Sequence, residues 1–158
     1  MPSQVLSEQS SGVRAFAALL RAHAATTRSL NAQLTAEHGL TLSDYEVLLR
    51  LSRAPARQMR RVDLAEQVLL TASGITRLLD GLERSGLVER GSCDTDRRVV
   101  YAVLTDDGLA KLREASSSHL PQVDVLFVER FGEGDLEQLA TLLDKLGEDD
   151  PVDCAPAP

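Results

Sequence analysis

Residues 64–104 read LAEQVLLTASGITRLLDGLERSGLVERGSCDTDRRVVYAVL, and the change of period inside this stretch decides the fold. Up to Ser85, apolar residues recur every three or four positions. Leu64, Ala65 and Val68 form one stripe, and Ile75, Leu78, Leu79 and Leu82 another. This spacing predicts a short helix over Arg61–Val68 and a second one capped by Thr71 and stopped at Gly86. Beyond Gly86 the period drops to two. Leu87–Arg90 and Val99–Leu104 therefore read as strands around the polar segment Gly91–Arg98, a β-hairpin.

Outward from this stretch the chain is helical. Val13, Phe16, Ala17, Leu20, Ala24, Leu30 and Leu34 place one long helix over Gly12–Glu37, ending near Gly39. Ser43 with Glu46 reads as a capping box for a helix that turns Val47, Leu48 and Leu51 inward and stops before Pro55. Thr105, with Asp106 and Asp107 in the first turn, caps a fifth helix carrying Leu109, Leu112, Leu120, Val123, Leu126 and Phe127, with Pro121 as a kink or break. After Gly132–Gly134, Asp135 opens a last helix with Leu136, Leu139, Leu142, Leu143 and Leu146. Residues 1–11 read as flexible, and the acidic, Pro/Ala-rich tail over 148–158 as disordered. The expected fold is mainly α with a small β-hairpin wing. It is a single domain over 12–147, with a winged helix-turn-helix over about 43–104 and dimerisation helices over about 12–38 and 105–147.

The 158-residue length fits one domain with a real core. No apolar run approaches the roughly 18 residues that a membrane span needs. Met1–Gly12 lacks a basic start followed by an apolar stretch, so a cytoplasmic protein is expected. Cys93 and Cys154 are too few for a disulfide framework and form no CxxC pair. The net charge of −7 opposes indiscriminate binding to nucleic acid. The distribution of that charge points the other way. Between Arg50 and Tyr101 ten arginines face seven acids, a net +3, while the flanks hold the other 7 basic and 17 acidic residues, a net −10. One face of the molecule is thus expected to be cationic.

A helix-turn-helix lays its second helix in the major groove, N-terminal residues toward the bases. Here that end carries Thr71, Ala72, Ser73, Gly74, Thr76 and Arg77, small or hydroxylic residues with one long donor. Hydroxyls donate to phosphates or bases, and arginine pairs bidentately with guanine. A polar helix start is ordinary alone; beside a hairpin tipped by Arg97 and Arg98 it is not. A weakly hydrated guanidinium is suited to the narrow, electronegative minor groove. Asp96 is expected to hold the Arg98 guanidinium and aim it. Arg90, ending the first strand, joins the DNA-binding set, and Asp94 takes a turn role.

Leu64-Ala65, Thr71–Leu82, Gly86–Arg90, Asp94–Arg98 and Leu104–Gly108 together resemble the MarR family of bacterial regulators, and the resemblance runs over roughly Val13–Leu146. It implies a recognition helix over about Ala72–Ser85, a wing arginine at Arg98 with Asp96 before it, and dimerisation through the first, fifth and sixth helices. It also implies repression relieved by a small molecule bound between the dimer region and the DNA-binding lobe. Family pockets for phenolic effectors would fall near Arg14, Phe16, His23 and Tyr45. Independently of the family, the terminal helices carry more apolar surface than one small lobe can cover, which points to a homodimer on a pseudo-palindromic duplex.

The remaining chemistry is sparse. His23, His38 and His119 lack HxxH or HxxxH spacing, although Glu37 and His38 with His119 recommend a metal-responsive regulator of the same fold as an alternative. Peroxide sensors of the family carry their reactive cysteine in the first helix, where this chain has none. There is no glycine-rich phosphate loop, and Ser73-Gly74 is not part of a GxSxG elbow, so neither enzyme activity nor a cofactor is expected. The acidic net charge leaves a winged-helix protein-docking module as the rival from another class.

Overall fold

The computed structural model describes residues 10–147 apart from Leu69, Asp94 and Arg97. The expectations for 1–9 and 148–158, with Cys154 among them, lie outside the described residues. Six helices and three strands follow in the order α1 (Ser11–His38), α2 (Leu42–Arg53), β1 (Gln58–Arg60), α3 (Arg61–Gln67), α4 (Ala72–Arg84), β2 (Val88–Ser92), β3 (Val100–Leu104), α5 (Asp106–Val128) and α6 (Glu133–Asp144), with a 3₁₀ turn at Pro55–Arg57. The strands form an antiparallel sheet in the order β1-β3-β2. Val88 lies opposite Leu104 and Met59 opposite Ala102.

The caps explain most boundaries. Gly39 ends α1 in the left-handed region (φ 67°), and Gly86 turns the chain after α4 (φ 71°). Thr71 Oγ1 accepts from the Gly74 amide at 3.1 Å, and Thr105 Oγ1 from that of Gly108 at 2.9 Å. The capping box of α2 departs from expectation. It is formed by Thr41 and Asp44, not by Ser43 and Glu46: Thr41 Oγ1 accepts from the Asp44 amide, and Asp44 Oδ2 accepts from the Thr41 amide at 2.8 Å. The left-handed turn at Gly39 buries Leu40 at once, so the helix opens two residues early, and Glu46 pairs with Arg50 at 3.1 Å instead.

Three further differences have physical causes. Strand β1 has no counterpart in the sequence pattern, because three residues with only Met59 turned inward are too short to show a period. Helix α5 runs unbroken through Pro121. Pro121 and Ser117, whose carbonyl loses the backbone bond, both lie on the exposed side of the helix. Helix α6 opens at Glu133, ahead of Asp135, with Gly132 as its cap.

The core joins the end of α1, α2, α3, α4, the sheet and the first half of α5. Leu34, Val47, Leu48, Leu51, Leu64 and Leu112 are completely shielded from solvent. The wing is locked to α5 at one crossing. Thr105 donates its hydroxyl to the Gly86 carbonyl at 2.7 Å, and its amide reaches the Leu87 carbonyl. Gly108 packs so closely there that any Cβ would collide with the Leu87 carbonyl. The first half of α1, the second half of α5 and all of α6 instead project apolar residues outward, and α6 buries none of its own.

Candidate nucleic-acid interface

Helix α4 is sharply two-faced. Ile75, Leu79 and Leu82 are buried against the core, while Ser73, Arg77 and Arg84 share an exposed stripe at spacings of four and seven. At its start Thr71 and Ser73 place their hydroxyls 3.3 Å apart, and the Thr76 hydroxyl donates to the Ala72 carbonyl at 2.8 Å, leaving lone pairs to accept. Gly74 is tight against the Thr71 hydroxyl, 3.1 Å from where a Cβ would stand, so a side chain there would disturb the cap.

The hairpin lies beside this helix. Thr76, Asp80 and Glu83 of α4 face Val88, Arg90, Val100 and Tyr101 across a shallow crevice that Arg61 also lines. At the tip, Asp96 Oδ1 accepts from the Arg98 backbone amide at 2.9 Å, and the Val99 amide returns to the Asp96 carbonyl. The carboxylate therefore shapes the turn by gripping the main chain; it does not hold the guanidinium as expected. Arg98 is exposed. Arg97 is outside the described residues.

Not every central arginine is available. Arg50 pairs with Glu46, Arg57 with Asp106 and Arg60 with Asp63. Arg90, expected among the DNA-binding residues, is engaged by two acids of α4. Its Nε donates to both Glu83 oxygens at 2.8 and 3.0 Å, and Nη2 lies 2.6 Å from Asp80 Oδ1. Glu83 first, and Asp80 with it, hold this guanidinium more firmly protonated than an ordinary arginine. Among the described residues, the side chains of Arg61, Arg77, Arg84 and Arg98 have no ion pair. Sequence reasoning misses Arg84 and Arg61. The first is legible as two turns from Arg77; the second is brought to the crevice only by the tertiary fold.

The four residues expected around an effector do not converge. Tyr45 is buried, its hydroxyl 3.0 Å from Ser116 Oγ and its ring 4.6 Å from that of His119. It lines a groove with Leu42, Leu49, Met59 and His119. His23 lines an adjoining groove that shares Leu42, Glu46, Arg50 and Gln67 with the first, while Arg14 and Phe16 are exposed near the start of α1 and line neither. Arg14 and Phe16 stand about two turns further along α1 than His23, beyond the reach of either groove.

His38 and His119 meet across the α1–α5 seam, each with a partner of its own. His38 Nε2 contacts Ser118 Oγ at 2.7 Å with Glu114 3.5 Å from Nδ1, and His119 Nδ1 contacts Gln33 Oε1 at 3.1 Å. Burial, and secondarily His38, lower the His119 pKa from its ordinary value. Hydrogen bonds from Gln33 and Ser118 lower that of Glu37. Among the described residues no three His, Cys, Asp or Glu side chains are placed to hold a metal ion. Cys93 lies 3.1 Å from Thr95 Oγ1, a hydrogen bond that lowers its thiol pKa. No described helix is long and apolar enough to cross a membrane.

A short helix pair, a flanking three-stranded sheet and cationic side chains on the second helix and the wing define a winged helix-turn-helix protein of the DNA-binding class. The MarR family model matches residues 38–99. AbsC, a MarR family transcriptional regulator from Streptomyces coelicolor, is 30% identical, with a TM-score of 0.78 over 90% of this chain and 96% of its own. The regulator MhqR of Bacillus subtilis is 26% identical over 85% of this chain and 90% of its own. Sco3205 from S. coelicolor, solved in complex with DNA, shares the fold at a TM-score of 0.80, with 24% identity over 96% of this chain and 98% of its own. The chain belongs to the MarR family of transcriptional regulators.

Proposed function

We propose that the chain is a cytoplasmic repressor that binds a pseudo-palindromic operator as a homodimer and leaves it when a small molecule binds. The observation that carries the DNA half of this reading is a pair of exposed arginines, Arg77 on α4 and Arg98 on the adjoining wing, neither with an ion pair among the described residues. Thr71, Ser73, Thr76 and Arg77 enter the major groove, with Gly74 allowing close approach. Arg98, with Arg97, reaches the minor groove, and Asp96 sets the turn that presents it. That Sco3205, which shares the fold, was solved in complex with DNA supports DNA as the partner.

The dimer rests on the apolar residues that α1, α5 and α6 leave open, from Phe16 at 62% exposure to Leu146 at 75%. The winged lobe over about 43–104 and the flanking helices then divide the single domain between DNA reading and assembly. The groove beside Tyr45, about 610 Å³ and walled by Leu42, Leu49 and Met59, is of a size for a small effector.

Titration of duplexes from the gene's own upstream region, at fixed salt and against a scrambled duplex, tests this reading. Arg98→Ala is expected to weaken operator binding by about 1–3 kcal/mol while the protein stays folded and assembled. Ser73→Ala and Arg77→Ala are expected to alter sequence preference as well as affinity. Unchanged affinity in Arg98→Ala would remove the wing from the mechanism.

A further inference from the structure

Arg90 bridges the two elements that must reach the duplex together. Its guanidinium rises from β2 and takes both oxygens of Glu83 and one of Asp80, two acids one turn apart on α4. The bond set is forked and planar, a geometry that arginine alone among the side chains offers to two carboxylates at once. We propose that Arg90 is a positioning residue for DNA reading. It clips the wing to the recognition helix and neutralises two carboxylates beside the arginine stripe, and it does not touch the DNA itself. This rests on the operator-binding reading given above.

Two arguments carry the inference. The first concerns charge. The surface meant for a polyanion holds Asp80 and Glu83 on the same helix as Arg77 and Arg84, so without Arg90 the acids would cancel the arginines. The second concerns where the clip gains strength. The Arg90 side chain is 61% exposed in the free protein, so water weakens its ion pairs. A docked duplex displaces that water and lowers the local dielectric, so the same bonds tighten when the wing and helix engage DNA. A guanidinium turned to a phosphate would instead have to abandon both acids beside a second source of negative charge.

The test is a double-mutant cycle on the ratio of operator to scrambled-duplex affinity, a ratio that cancels generic charge effects. Arg90→Gln and Glu83→Ala are each expected to lower this ratio about tenfold with an unchanged thermal midpoint. Combined, they are expected to lower it less than twofold further, because both break one clip. Losses that multiply, or a Glu83→Ala ratio equal to or above that of the wild type, would overturn the proposal in favour of a direct contact. In the DNA-free protein, the Arg90 Nε–H resonance is expected to exchange with water about tenfold more slowly than that of Arg77, and to lose this protection in Glu83→Ala. Equal exchange in the wild type would overturn the clip on its own. A wild-type chain that distinguishes no duplex would sink the operator reading and any role of Arg90 in it, while the resonance would still report whether the clip forms.

Discussion

In the winged lobe Val47, Leu48, Leu51 and Leu64 are fully shielded, whereas Phe16, Leu120 and Leu142 on the flanking helices and Leu146 just beyond α6 stand open to solvent. The two regions contain the same kinds of residue at the same helical spacing. What differs is the presence of a second layer. Helices α2, α3 and α4 close on one another and on the sheet, so their apolar faces meet inside one chain. Helix α6 has no such cover and buries nothing. Amphipathic patterning therefore states that a face will be covered, not by which chain; the proposed second copy supplies the missing layer.

The sharpest way to break this comparison is to charge the open face. Leu142→Asp combined with Leu146→Asp is expected to halve the mass seen by sedimentation and to weaken operator binding by about 10²–10⁴-fold, the avidity lost when two linked half-site readers separate. The lobe, whose core those residues do not touch, is expected to keep its helical circular-dichroism signal. An unchanged mass would mean that the exposed leucines do not assemble the protein.

The second test compares equal truncations in the two regions. Leu64→Ala removes a completely buried side chain, and is expected to cost about 2–5 kcal/mol in urea unfolding. Leu146→Ala, at 75% exposure, is expected to stay within about 0.5 kcal/mol when measured at concentrations too low for assembly. Similar losses at both sites would show that Leu146 is covered within a single chain after all.

How far the sequence can be read follows the same division. Local signals suffice for the lobe. The switch from a helical to a two-residue period at Gly86 and the Thr71 and Thr105 caps stand where the pattern puts them, although β2 runs on through Gly91 and Ser92, two residues into the segment read as loop. Non-local pairings are not legible. Strand β1 exists because Met59 lies opposite Ala102, more than forty residues away, and three residues carry no period of their own. Arg90 reads as a spare cation because nothing in its neighbourhood of sequence reveals that Glu83 and Asp80 return to it across a turn. Arg14 and Phe16 are expected near Tyr45, but a straight α1 carries them away from it.

A smaller effect is expected from the cap that starts the recognition helix. Thr71→Ala leaves the Gly74 amide without its acceptor, and is expected to cost about 1 kcal/mol of stability. The same change also removes a hydroxyl proposed to meet DNA, so operator affinity should fall by more than the fraction unfolded explains. Thr71→Ser, which restores both the acceptor and the hydroxyl, is expected to recover most of each loss. A rescue of stability without affinity would assign the contact to the threonine methyl group.

The smallest expected effect lies at the seam where the two regions meet. The His119 ring packs on Tyr45 of α2, bonds Gln33 of α1 and feels His38, which in turn faces Glu37 and Glu114. Burial first, and then His38, hold its pKa below the ordinary 6.5, so the folded protein favours the neutral ring. As pH falls through 6.5 the unfolded chain takes up this proton before the folded one does. The stabilisation is thus complete above about 6.5 and is lost as pH drops toward the depressed folded value. Glu37, lowered from 4.5, adds a similar loss only at more acidic pH, so the two windows are separable. Urea midpoints measured from about pH 8 to about pH 5.5 should decline in the wild type and be flatter in His119→Gln, whose amide stays neutral throughout. If both proteins decline alike, burial of the His119 ring is not what makes stability respond to pH.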